Sequence, residues 1–149
     1  MISWFKKIWY GLGDLNDLEL LILNTVRDKI VPEAVLLWDA QIADINKVQR
    51  LPDGVESDFY SIDLKTGKPF LNLEKAFPNQ KKELLFAKVQ LKHQESRIDI
   101  ELWLVKGFLF SLEFRGSANN WLEYLGSDGN DDFRLDVQCE VVADLMKPA

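Results

Sequence analysis

The sequence predicts an α+β fold: two N-terminal helices packed on one face of a mainly antiparallel, meandering sheet of about five to six strands. Three observations lead there. Apolar residues recur at helical spacing through the first third of the chain. Strict apolar–polar alternation fills most of the remainder. Short turn signals join the alternating runs, so neighbouring strands pair locally and antiparallel.

The first helix is announced by its cap. Asn16 stands three residues before Glu19, the arrangement of a capping box, and Leu15 and Leu20 are spaced for a hydrophobic staple. Leu18, Leu21, Ile22, Thr25 and Val26 then form an apolar stripe. Pro32 opens a second helix, with Val35, Trp38, Ile42 and Ile45 along one side. Asp53-Gly54 in Leu51–Gly54 marks a tight turn between strands near 47–51 and 55–62. A loop with Gly67 and Pro69 runs to Pro78. Leu85, Ala87, Val89 and Leu91 alternate with polar partners as a half-buried third strand. LKHQESR follows as an exposed loop holding His93, the single histidine.

The hairpin from Arg97 to Arg115 is the best-defined element. Ile98, Ile100, Leu102 and Leu104 share one face, and Phe108, Phe110, Leu112 and Phe114 share one face of the next strand. A three-residue loop, Val105-Lys106-Gly107, would pair Leu104 with Phe108, Leu102 with Phe110, Ile100 with Leu112 and Ile98 with Phe114. It would place Trp103 and Leu109 together on the outer face, with Asp99 opposite Glu113. A last alternation runs through Phe133, Leu135, Val137, Cys139 and Val141. No repeat or linker divides the chain, so residues 1–149 read as one domain.

Bulk properties narrow the function. An apolar content of 47% with 11% aromatic residues suits a packed core. The formal charge is −6, and the last 29 residues hold seven acids and two bases, which is −5 of it. Nucleic acid is excluded as a ligand on that ground. A basic protein partner is the complementary expectation, met by Glu123, Asp128, Asp131, Asp132 and Asp136, with Trp103 on the outer face of the hairpin as a second candidate contact. Cys139 is the single cysteine, which suits a reducing, cytoplasmic setting. Residues 1–12 carry Trp4, Phe5, Ile8, Trp9 and Leu12 at helical spacing with Lys6 and Lys7 opposite. That amphipathic segment is short and weakly charged, so docking on the core is expected ahead of a membrane surface.

Catalytic and metal signatures are not found. His93 has no nucleophile motif near it, and Cys139 is in phase with Val137 and Val141 as a small packed residue. Gly11-Leu12-Gly13 lacks the strand that a dinucleotide fingerprint requires. Asp128, Asn130 and Asp132 match the opening of a calcium loop. Phe133 then stands where glycine must turn the chain, and Cys139 where a bidentate glutamate must close the shell. No cofactor or metal is expected.

Three segments carry a resemblance: LLWDAQIADINKVQR (Leu36–Arg50), FPNQKKELLFAKVQL (Phe77–Leu91) and WLVKGFLFSLEF (Trp103–Phe114). They resemble small acidic bacterial α+β proteins of unassigned function, some of them immunity proteins of toxin–immunity systems. The resemblance implies a non-catalytic protein that neutralises a basic toxin domain, such as a nuclease, through an acidic surface. It carries over no functional residues. The alternative is a small hydrolase or ligand-binding enzyme with a pocket between helices and sheet. A further alternative is a peripheral membrane adaptor using Trp4 and Trp9. The oligomeric state is left open.

Overall fold

In the computed structural model, which describes residues 14–116, 118–126 and 135–149, the first helix begins at the expected cap. Helix α1 spans Asp17–Arg27. The Asn16 side chain accepts from the Glu19 amide at 2.8 Å, and the Glu19 carboxylate accepts from the Asn16 amide at 2.9 Å. Glu19 is only 1% exposed, and Arg50 answers its charge with bonds of 3.0 and 2.7 Å. Helix α2, Pro32–Asp44, starts on its proline. Arg27 and Asp39 tie the two helices through paired bonds of 2.7 Å.

Strands β1 (Lys47–Arg50) and β2 (Glu56–Tyr60) form a hairpin across a short 3-10 turn. Strands β3 (Leu84–His93), β4 (Ser96–Val105) and β5 (Phe108–Arg115) form a meander. Helix α3 (Ala118–Gly126) follows, and β6 (Asp136–Val141) closes the sheet. All pairings are antiparallel, in the order β1-β2-β5-β4-β3-β6. The fold is α+β as expected, with α3 as an added element. Ala118 and Trp121 bury that helix in the core, where it packs on α1.

The core lies between helices and sheet. Trp38 sits 6.5 Å from Phe77 and 6.3 Å from Phe86 by ring centroids. Ile98, Ile100, Leu102 and Leu104 all point inward and are at most 1% exposed. Gln41 supplies the buried polar link. Its amide donates to the carbonyls of Lys75 (2.7 Å) and Gly107 (2.9 Å), and its carbonyl accepts from the Leu109 amide at 2.9 Å. One side chain thus satisfies backbone groups from two separate segments.

The hairpin register differs from the expectation. Val105 pairs with Phe108, so the loop has two residues, Lys106 and Gly107, both at positive φ (51° and 87°). That is the type I′ turn, whose twist matches the strands. Leu104 pairs with Leu109, Trp103 with Ser111, Leu102 with Leu112 and Ile100 with Phe114. Phe110 is therefore the extra residue of a β-bulge, and the bulge restores apolar pairing on the inner face. Leu109 turns inward instead of joining Trp103 outside. Phe110 is half-buried and sets its ring edge-on to Tyr60, 5.8 Å between centroids. A second bulge at Phe86 lies across β4 at the same level, between Leu85–Trp103 and Ala87–Leu102.

The His93 region also differs. Strand β3 runs through His93, and Ser96 already belongs to β4, so the exposed loop contracts to Gln94-Glu95. His93 is half-buried with its ring 5.3 Å from that of Tyr124 on α3.

Candidate functional site: an acidic row on the open sheet face

With α1, α2 and α3 on the inner face, the outward side chains of all six strands make a second surface. Its chemistry follows from register. Glu56 lies opposite Glu113, Glu113 opposite Glu101, Glu101 opposite Lys88, and Lys88 opposite Glu140. Three glutamates on three adjacent strands are direct cross-strand neighbours. Like charges so placed repel across about 5 Å and destabilise the sheet.

The charge is only partly compensated. Arg115 reaches Glu101 at 3.3 Å, and Lys88 stands opposite the same residue. Among the described residues Glu56 and Glu113 form no ion pair. Asp58, two residues beyond Glu56, is only 8% exposed, and its Oδ1 has no hydrogen-bond partner. Hydrogen bonding with Asp58 holds the Glu56 carboxyl above the usual carboxylate range; burial and the Asp58 charge add to the effect. Burial, then Asp58 and Glu56, push the Tyr60 hydroxyl up as well.

The adjacent row alternates its charges, and the row beyond it is net positive. Arg115, Asp99, Gln90 and Gln138 follow one another across the strands. Hydrogen bonds from Arg97 (3.0 Å) and Gln90 (3.0 Å) hold the Asp99 carboxyl below its ordinary range. Lys92 pairs with both Arg97 and Asp136. An open depression of about 530 Å³ lies over this mixed region, floored by Lys88, Gln90, Asp99, Glu101, Arg115 and Gln138. Among the described residues, two depressions between helices and sheet measure about 40 and 90 Å³.

Three of the expected partner-binding residues are described. Trp103 lies on the outer face, half-buried between the two bulges, with its indole Nε1 buried and without a hydrogen-bond partner. Asp136 opens β6 on the same face, beside Lys92. Glu123 is exposed on α3, in the helical layer. Asp128, Asp131 and Asp132, and with them the calcium-like run, lie outside the described residues, as does the amphipathic segment 1–12. Glu56, Asp58, Glu101 and Glu113 went unnoticed because only the register brings them together.

Cys139 faces the core opposite Val89, and burial raises its thiol above the ordinary range. Among the described residues no group of three His, Cys, Asp or Glu side chains is disposed to hold a metal ion. No described helix is long and apolar enough to cross a membrane. No family profile, characterised protein or solved structure matches the chain.

Proposed function

We infer that this chain is a binding protein that docks a basic protein partner on the open face of its sheet. One observation carries the reading: the cross-strand row Glu56–Glu113–Glu101, beside a buried Asp58. A fold that needed this face only for solubility would alternate its charges, as the Arg115–Asp99 row does. Placing three acids opposite one another sacrifices stability, and a cationic surface returns it on docking. Trp103 and the Tyr60–Phe110 pair supply aromatic surface on the same strands.

Within that class we favour an immunity-type inhibitor of a basic toxin domain, acting in the cytoplasm. The acidic C-terminal third, with Glu123, Asp128, Asp131, Asp132 and Asp136, adds long-range attraction for the same partner. Binding rather than hydrolysis is supported by the shape. The 530 Å³ trough is open and lies on the sheet surface, and the two depressions between helices and sheet among the described residues fall well below the roughly 300 Å³ at which small-molecule pockets begin.

The test is comparative capture from the native cell with two baits, wild type and Glu56→Gln/Glu101→Gln/Glu113→Gln. The reading expects a basic protein retained by the first, released by moderate salt and depleted on the second. Equal recovery of every protein on both baits would refute it.

A further inference from the structure

The acidic row has one place better suited than the rest to a defined chemical group. Glu56 and Glu113 are directly opposite, half-buried and without an ion pair among the described residues. Asp58 follows two residues along β2, on the same face as Glu56. A carboxyl only 8% exposed ordinarily has every oxygen satisfied, yet Asp58 Oδ1 has no partner. Glu56 and Glu113 thus lack a cation, and Asp58 Oδ1 a donor, among the described residues. Glu101 differs, because Arg115 and Lys88 already answer it.

Resting on the partner-binding reading above, we propose that the Glu56–Glu113 pair, with Asp58 beside it, is the seat of one arginine side chain of the partner. A guanidinium presents five donors in a rigid plane and can serve two facing carboxylates and a third behind them. An ammonium is a compact point charge that is strongly hydrated, and a half-buried seat makes it surrender that water. The next row of the sheet is Asp58–Ser111–Trp103, so an indole lies on the same surface two strands away, and arginine is the cation that pairs best with aromatic faces. A metal ion fits less well, since no described trio of carboxylates is disposed to chelate one.

The experiment uses the full chain, isotope-labelled, and two blocked tripeptides, acetyl-Gly-Arg-Gly-amide and its lysine counterpart. Amide shifts are followed during titration at low salt. The seat predicts saturable shifts centred on Glu56, Asp58 and Glu113, with arginine bound several-fold more tightly than lysine. Glu113→Gln, whose fold is checked from its own spectrum, should weaken the arginine peptide about tenfold, equivalent to ~1.4 kcal/mol. Equal binding of the two peptides would overturn the proposal. So would arginine binding that survives Glu113→Gln or shifts centred on Gln90, Asp99 and Gln138. Those outcomes leave the wider reading standing if the two-bait capture still depends on the row. Loss of that dependence removes the wider reading itself.

Discussion

Neutralising Glu113 should make the partner-free protein more stable. Glu113 is the middle of the row, with Glu56 on one side and Glu101 on the other. Each directly opposed like-charged pair costs about 0.2–1 kcal/mol, so Glu113→Gln relieves two such terms, about 0.4–2 kcal/mol. The lower half of that span is favoured, because Arg115 already screens Glu101. The pH dependence has a definite sign. Hydrogen bonding with Asp58, then burial, holds the Glu56 carboxyl above its ordinary value in the folded protein. Its contribution is therefore fully present below that value and is lost as pH rises through the elevated one. Asp99 works oppositely: its lowered value contributes stability above the ordinary carboxylate range and loses it as pH falls. The Asp58–Glu56 and Asp99 contributions are common to both proteins, so the difference between variant and wild type isolates the charge set opposite Glu56 and Glu101. Urea unfolding from pH 4 to 7 should show a midpoint advantage for Glu113→Gln that grows with pH, at unchanged m-value. An advantage that shrinks with rising pH, or a variant less stable than wild type at pH 7, would refute the repulsive row.

Three further outcomes follow from the fold. Gln41→Leu strands the Lys75 carbonyl and the Leu109 amide, while Gly107 O keeps its bond from the Phe77 amide at 2.9 Å. Two groups left unsatisfied at about 1–3 kcal/mol each give a loss of about 2–6 kcal/mol in urea unfolding. Leu112→Ala, at a site with 0% exposure, should lose about 2–5 kcal/mol, and Phe110→Ala distinctly less because its ring is half-buried outside the core. Equal losses would restore the bulge-free register. Gly107→Ala should lower the melting temperature, since its φ is 87° and a new Cβ would come within 2.8 Å of the Phe77 carbonyl oxygen.

The helices were legible in the sequence because their signals are local. Asn16 with Glu19, and Pro32, mark starts that need no knowledge of the rest of the chain. The strands were legible for the same reason, since alternation is a property of each run. Register is a property of two runs, and alternation alone presumes an unbroken pleat. The adjacent apolar residues Leu109-Phe110 and Phe86-Ala87 were the available signal of a face switch, and both coincide with bulges. The missed helix α3 had a signal too, Ala118, Trp121, Leu122 and Leu125 at i, i+3, i+4 and i+7. The acidic row was hidden behind the register. In the expected pairing Asp99 faced Glu113 and a mixed surface resulted. Two residues of slip along β4 place Glu101 there instead, and three glutamates align. The C-terminal acids stood out as a count, whereas the row exists only as a geometry.

The most direct measurement of the central claim uses the partner obtained by capture. Its association rate is measured against wild type and Glu56→Gln/Glu101→Gln/Glu113→Gln from low to high salt. An acidic sheet face as the docking surface predicts slower association and a flatter salt dependence for the variant, together with faster dissociation from losing the contacts themselves. Identical rates and identical salt slopes for the two proteins would contradict it.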